Sequence, residues 1–262
     1  MTTFNEARIS AAIVESYSRK LTKCLTSDVI IVGAGPSGLV AAADLAKKGC
    51  SVVVIEKRLS TGGGVWGGAM SMNEVVIQQE ALPVVEDLNV HAESIGDGLY
   101  TVDSMELASG LCFSACQAGA TILNMTYVED ICLHKGKVSG VVVNRTSATG
   151  PLPIDPLTMM ADAVVDGTGH ETVLVHHLQR RGLMTQSGVA ERLGDGPMNA
   201  EEGEKFVVEH VSEVFPGLWL CGMAVCAAYG GPRMGPIFGG MLLSGRKVAS
   251  LISEKVTVAA ST

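Results

Sequence analysis

The sequence predicts an α/β fold built on a parallel sheet, and three observations lead there. Two short apolar runs, Asp28–Val32 and Ser51–Ile55, read as buried strands. The alanine-rich stretch Leu39–Lys48 between them reads as a helix, so the unit is β-α-β, a parallel pair joined by a right-handed crossover. Between the first strand and that helix stands Gly33-Ala-Gly-Pro-Ser-Gly38, a G-x-G-x-x-G pattern. Glu56 closes the second strand, at the spacing of about 20 residues that the full fingerprint requires.

Taken in order, the remaining elements extend this frame. Residues 4–24 carry Phe4, Ile9, Ile13, Val14, Tyr17 and Leu21 at helical spacing, which predicts an amphipathic helix packed on the domain or on another subunit. A second glycine cluster, Thr61-Gly-Gly-Gly-Val-Trp-Gly-Gly68, follows the second strand. Asp103–Ala118 reads as a helix and Thr121–Leu123 as the next strand. Residues 126–133 and 137–143 flank a His134-Lys-Gly-Lys137 turn and read as a β-hairpin. A proline-rich loop leads to the strand Ala161–Val165, which ends in Asp166-Gly-Thr-Gly-His170. Residues 171–216 are polar and irregular and read as a helix and surface loops, with His176 and His177 expected on a solvated face. Gly217–Cys221 is the last expected strand and Gly239–Glu254 a closing helix. No repeat or linker divides the chain, so one domain over 1–262, opening with a helix within 1–26, is expected.

Composition excludes several classes. The chain has 262 residues, a net charge of −8 and 4% aromatics, which argues against nucleic acid, since that partner wants a basic face or stacking platforms. No apolar run reaches the ~18 residues of a membrane span, and no signal-type segment opens the chain, so a soluble cytoplasmic protein is expected. Seven cysteines without CxxC spacing, most among aliphatic neighbours, read as reduced, buried thiols, Cys112 and Cys116 included. The 31 glycines exceed the usual share of about 7% without any collagen-like period, which points to tight turns around a ligand. Room remains for one dinucleotide site without a second cofactor domain.

The glycine loop has a specific chemistry. Gly33 permits the tight turn, Gly35 lets a pyrophosphate approach the backbone, and Gly38 allows close helix–sheet packing. The helix N-terminus offers unpaired N–H groups and a partial positive charge to phosphate. Glu56 would accept from a ribose diol and repel a 2′-phosphate, favouring NAD, FAD or ADP-ribose over NADP. The expected architecture is therefore a Rossmann-like dinucleotide-binding fold of the FAD/NAD(P)-binding, glutathione-reductase-like type, with an added β-hairpin or sheet.

Later motifs keep two readings each. Gly62, Gly63 and Gly64 form either a plain turn or a second backbone approach to the ligand. His170 stands at a strand's C-terminal end, where α/β sheets place ligands, or simply caps the turn. Asp155 precedes Pro156, which holds it extended; it is a ligand or an ordinary Asp-Pro turn. Arg233, in Gly230-Gly-Pro-Arg-Met-Gly-Pro236, suits a small carboxylate or a phosphate, or else a structural ion pair.

Together Val-Gly-Ala-Gly-Pro-Ser-Gly, Glu56-Lys57, Gly-Gly-Gly-Val-Trp-Gly-Gly, Asp155-Pro156, Thr168-Gly-His170 and Pro-Arg-Met-Gly-Pro-Ile-Phe-Gly-Gly resemble the thiamine thiazole synthases. The likeness is to the shorter archaeal and bacterial members, some labelled ribose-1,5-bisphosphate isomerases, and spans nearly the whole chain. It implies an enzyme that consumes NAD as a substrate: nicotinamide leaves, the ADP-ribose opens and isomerises, glycine adds as an imine and sulfur enters. Cyclisation and dehydration then give an adenylated thiazole carboxylate. It further implies that Ser37, Glu56, Lys57, Gly64, Val128, Pro153, Ile154 and Met223 join Gly33, Gly35 and Gly38 in holding the NAD-derived ligand. By the same likeness Asp155 and His170 are catalytic and bind Fe(II), Asp155 reaching from a neighbouring subunit, while Arg233 holds the glycine carboxylate. A homo-octamer is implied as well.

One departure matters. Relatives that sacrifice their own sulfur carry Cys-x-Asp-Pro here and several archaeal ones His-x-Asp-Pro, whereas this chain has Pro153-Ile154-Asp155-Pro156. Proline offers no thiol, so free sulfide is the expected donor, with many turnovers per chain. The alternatives are an FAD-dependent oxidoreductase of the same fold and a non-catalytic NAD- or ADP-ribose-binding protein. A sugar-phosphate isomerase fits less well, because the fingerprint and Glu56 select a nucleotide.

Overall fold

A computed structural model describes residues 4–147, 155–184, 188–191 and 193–260, the last five without their side chains. The chain opens with α1 (Glu6–Cys24), β1 (Thr26–Val32), α2 (Pro36–Lys47) and β2 (Val52–Ile55). Two short 3-10 turns lead to β3 (Glu74–Gln78), α3 (Leu82–Asp87), β4 (Glu93–Gly96), β5 (Leu99–Asp103), α4 (Ser104–Ala118) and β6 (Thr121–Leu123). Then come β7 (Thr126–His134), β8 (Lys137–Arg145), β9 (Leu157–Asp166), α5 (Val173–Gln179), β10 (Gly196–Met198) and α6 (Ala200–Glu209). The last elements are β11 (Glu213–Phe215), β12 (Leu218–Leu220), α7 (Met223–Tyr229), β13 (Pro232–Arg233) and α8 (Gly239–Ala260).

The main sheet runs β11-β12-β9-β1-β2-β6, with the β7–β8 hairpin attached through β9. Strands β12, β9, β1, β2 and β6 are mutually parallel, and Val32 stands level with both Ile55 and Asp166, Leu220 with Asp166, Leu123 with Ile55. That register brings five C-terminal strand ends to one edge, the place where open α/β sheets bind ligands. Val29, Ile30 and Ile31 are fully buried, as are Val54 and Val164, so these strands read as unbroken apolar runs because both faces are covered. Each such side chain contributes roughly 1.5–3 kcal/mol by leaving water.

Helix α2 begins at Pro36, whose fixed φ suits the first helical position, and its cap residue Gly35 supplies no side chain. Its alanines let it sit between the sheet, α4 and α8; a Cβ on Gly245 of α8 would come within 2.3 Å of the Ser37 carbonyl. Helix α4 is capped by Asp103, whose carboxylate accepts from the backbone N–H groups of Met105 and Glu106, and ends at Gly119 with φ +104°.

Several features were not legible beforehand. The antiparallel sheet β3-β5-β4 covers residues for which the sequence offered no reading, and it touches the segment before α8 through Val76 and Ile237. The stretch 171–216, expected to hold a helix among loops, contains both α5 and α6 and also the short β10 and β11, which the sequence did not announce. His177, expected in solvent, is buried and flanked by Arg180 and Asp130; burial lowers its pKa while Asp130 pulls the other way. The cysteines divide: Cys24, Cys221 and Cys226 are buried, whereas Cys116 is exposed and Cys112 half-buried, against the expectation of a core pair. Helix α1 buries Cys24 and half-buries Tyr17 and Leu21, but Ile9, Ile13 and Val14, like Phe4 before it, are exposed, so the first half of its apolar face does not pack on its own chain. Among the described residues no helix is long and apolar enough to cross a membrane.

Candidate active site

A cavity of about 640 Å³ opens at the C-terminal edge of the parallel strands. Gly33, Gly35, Pro36 and Ser37 form one wall, Glu56 and Lys57 the next, with Gly63 and Gly64 behind them. Val128 of β7, Gly167–Glu171 after β9, Met223 of α7 and Arg233 complete it, with Phe238 and Met241 at the start of α8.

The three fingerprint glycines do different jobs. A Cβ on Gly33 (φ +102°) would lie 2.3 Å from the Gly167 carbonyl, so this glycine lets the β1 and β9 turns touch. A Cβ on Gly38 would lie 2.2 Å from the Gly33 carbonyl; Gly38 packs the turn and does not line the cavity. Gly35 meets nothing within 4 Å and faces open space, where the first N–H groups of α2 lack a side-chain cap. The second glycine cluster packs on the first: Gly62 donates to the Ala34 carbonyl at 2.7 Å, and a Cβ on Gly63 would stand 3.1 Å from Gly35 Cα. These glycines do more than turn the chain.

Glu56 is buried and ties the walls together. One carboxylate oxygen accepts from the Ala34 N–H at 2.9 Å and the other from the Arg58 N–H at 2.8 Å. Each oxygen keeps a lone pair for a further donor. Lys57 reaches across to Glu171 at 2.6 Å, an ion pair between two half-exposed side chains. Such pairs contribute only about 0–1 kcal/mol.

The turn carrying His170 is built by a buried acid. Asp166 accepts from the Thr168 N–H and hydroxyl with one oxygen and from the Leu174 and Val175 N–H groups with the other. Burial raises its pKa and these donors work against that rise. His170 itself is half-exposed, and its Nδ1 lies 2.5 Å from Oδ2 of Asp195, whose side chain is mostly buried. Arg233 is exposed on β13 and has no acid at ion-pair distance among the described residues, which disfavours the ion-pair alternative. Asp155 is exposed and stands outside the cavity of its own chain, while Pro153 and Ile154 lie outside the described residues. Cys221 and Cys226 are buried behind the wall; burial pushes both thiols up, Cys226 to about 12.

The cavity thus gathers Gly33, Gly35, Ser37, Glu56, Lys57, Gly64, Val128, His170, Met223 and Arg233, and leaves out Gly38 and Asp155. Sequence reasoning missed Asp195 and Glu171. Glu171 adjoins His170 and was open to inspection. Asp195 lies in a polar stretch with no periodicity, and only the fold brings it to His170.

Comparison with known proteins decides the family. Residues 10–238 match the profile of the Thi4 family. This chain belongs to the Thi4 family. A thiamine thiazole synthase of Thermococcus kodakarensis is 52% identical over 253 residues, covering 96% of this chain and 98% of that protein. One of the same name from Thermotoga maritima is 50% identical over 250 residues, covering 95% and 97%. The crystal structure of a THI4 protein of Thermovibrio ammonificans superposes with a TM-score of 0.91 at 41% identity, over 98% of this chain and all of that one. A geranylgeranyl bacteriochlorophyll reductase-like protein of Thermoplasma acidophilum, 17% identical with a TM-score of 0.53, shares the fold alone. The Rossmann-like class expected from the sequence is therefore the class of this Thi4 family member.

Proposed function

We propose that this chain is a thiamine thiazole synthase that makes an adenylated thiazole carboxylate from NAD, glycine and free sulfide. The observation that carries this reading is one cavity with a phosphate-type loop and a buried ribose-type carboxylate at one part, and at another a histidine and an arginine that has no acid partner among the described residues. In this reading the pyrophosphate meets the N-terminus of α2 past Gly35, Glu56 accepts from the adenosine ribose diol, and Lys57, Val128 and Met223 line the rest of the ligand. Arg233 pairs with the glycine carboxylate through a charge-assisted contact. Among the described residues no acid pairs with it, so its donors are available to a ligand.

The donor set fits a ferrous ion as half of a shared site. His170 keeps Nε2 free, and among the described residues of one chain no group of three or more His, Cys, Asp or Glu converges on a metal. Asp155, exposed and away from its own cavity, is available to a second copy. An imidazole and a carboxylate suit Fe(II), which when bound would polarise substrate oxygens. The exposed apolar side of α1 supports a homo-oligomer, an octamer by family likeness, and cytoplasmic residence follows from the same reading.

Sulfide as donor is supported by Pro153 and by the thiols themselves. Cys221 and Cys226 are buried and held protonated far above neutral pH, and the thiol is a poor nucleophile. The test is anaerobic incubation with NAD, glycine, sulfide and Fe(II), followed by mass spectrometry. More than one adenylated thiazole per chain is expected. One product per chain with dehydroalanine at a cysteine would overturn the sulfide donor, and no product would favour a binding protein. Flavin absorbance in the purified protein would favour the oxidoreductase.

A further inference from the structure

We propose that Asp195 is a positioning residue: it fixes the His170 ring and its tautomer, so that Nδ1 carries the proton and Nε2 keeps a lone pair for the reaction. This deepens the function proposed above and rests on it for the use made of Nε2, but the hydrogen bond stands on its own geometry.

Three observations support it. Nδ1 of His170 and Oδ2 of Asp195 are 2.5 Å apart, a charge-assisted contact, and it is the one polar partner the ring has among the described residues. An ionised carboxylate can only accept there, so Nδ1 is the nitrogen that carries a proton, and in the neutral ring the lone pair then stands on Nε2. The Asp195 side chain is 12% exposed against 55% for His170, so the carboxylate is the anchored member and the imidazole the one it steers.

The second oxygen of Asp195, Oδ1, is buried and has no partner among the described residues. A buried carboxylate left half-satisfied costs stability, so its place here is explained better by the hydrogen bond to His170 than by packing.

The backbone around Asp195 is tethered to the segment that carries Arg233. Gly194 N–H donates to the Ala227 carbonyl at 2.8 Å, and Gly196 N–H to the Gly231 carbonyl at 2.7 Å. Gly196 pairs with Pro232 and Met198 with Arg233 in the parallel β10–β13 ladder, and Asn199 N–H donates to the Arg233 carbonyl at 3.0 Å. One short segment therefore aligns two side chains of the cavity: Arg233 through the backbone ladder and His170 through the Asp195 carboxylate. Neither of these two links passes through the phosphate-type loop, although the turn before His170 packs on that loop where Gly33 meets Gly167.

The experiment compares wild type with Asp195→Asn, a near-isosteric change whose amide can donate to Nδ1. Magic-angle-spinning 15N spectra of histidine-labelled protein, with the His170 signal found by difference from His170→Gln, read the tautomer without metal. Nδ1–H is expected in wild type, with a shift toward Nε2–H in Asp195→Asn. Binding of Co(II), followed by its visible absorbance, should weaken about 10–100-fold, the usual cost of losing such an orienting partner. ADP-ribose affinity should stay within about twofold, since its contacts lie on the other wall, and this also shows that the variant is folded. An unchanged tautomer in Asp195→Asn, or Nε2–H in wild type, would overturn the proposal. If wild type binds no Co(II) while the tautomer responds as expected, the positioning role stands and the metal role of His170 fails. If Asp195→Asn loses ADP-ribose binding, Asp195→Glu decides: restored ADP-ribose binding with the Nδ1–H tautomer supports the role, and restored binding with Nε2–H overturns it.

Discussion

The two ends of the cavity are built in opposite ways. At the nucleotide end, Gly33, Gly35 and Gly38 form one short turn, joined to Glu56 through the Ala34 N–H, whose backbone contacts leave little freedom: a Cβ at Gly33 or Gly38 would sit within 2.3 Å of a carbonyl oxygen. At the other end His170 and Arg233 come from segments 63 positions apart in the sequence and are brought to order by Asp195 and the β10–β13 ladder. The first end is specified largely within the β1-α2-β2 unit, by glycines whose backbone needs no side chain and by one carboxylate. The second is specified by tertiary structure, through a few hydrogen bonds. The local end should fail by unfolding or by excluding ligand, and the assembled end by misplacing chemistry.

The sharpest way to break this contrast is at the glycines. Gly33→Ala forces a side chain into a left-handed φ and against Gly167, which should cost about 3 kcal/mol or more in strain and overpacking and lower the melting temperature accordingly. Gly35→Ala meets open space at φ −75°, so thermal stability should stay within about 1 kcal/mol while NAD or ADP-ribose affinity falls about tenfold or more. Equal destabilisation by both would show that the turn is merely tight. It would not then be shaped for a ligand.

The same contrast explains what the sequence could and could not reveal. The β1-α2-β2 unit announces itself because its signal is local: apolar runs, a glycine pattern and one acid at the right distance. The β7–β8 hairpin is legible for the same reason, through its Lys135-Gly136 turn. By contrast α7 is buried all round from Met223 to Ala228, so it has no amphipathic period to detect. The three-residue strands β10 and β11 are too short for any alternation. His177 looked solvated because its neighbours are polar, yet Arg180 and Asp130 fold over it. Asp195 carries no pattern at all; its meaning is the carboxylate oxygen that meets His170.

A second test lies beneath the assembled end. Glu204 of α6 is buried and accepts from the Gly240 N–H at the start of α8, and burial outweighs that hydrogen bond and raises its pKa from 4.5 to about 7. A carboxyl whose folded pKa is raised favours folding most when protonated. Its contribution is full below about 4.5 and is lost as pH rises to about 7. The loss is of the order of 3 kcal/mol across that window. Glu204→Gln should flatten this part of the stability–pH curve in denaturant titrations. A wild-type and variant pair with parallel curves would mean that the carboxylate is ionised throughout.

Arg233→Gln should act on chemistry without touching the nucleotide end. Loss of a charge-assisted contact of about 1.5–3 kcal/mol predicts a glycine KM raised about 10–100-fold, with NAD affinity unchanged in equilibrium binding. A parallel loss of NAD affinity would place the arginine on a phosphate instead.

The smallest effect is expected where the two ends meet, at the Lys57–Glu171 pair. Both side chains are about half exposed, so Glu171→Gln should change unfolding stability by no more than about 0.5 kcal/mol. Its informative consequence is on binding. Glu171 holds Lys57 at 2.6 Å in the free protein, so a ligand phosphate or hydroxyl must compete for that ammonium. Releasing it should leave NAD affinity equal or raise it by about twofold, a gain that shrinks with added salt because the competition is electrostatic and solvent-exposed. A tenfold loss of affinity would reverse the inference. Glu171 would then contact the ligand itself, and the boundary between the local and the assembled ends would lie one residue beyond His170.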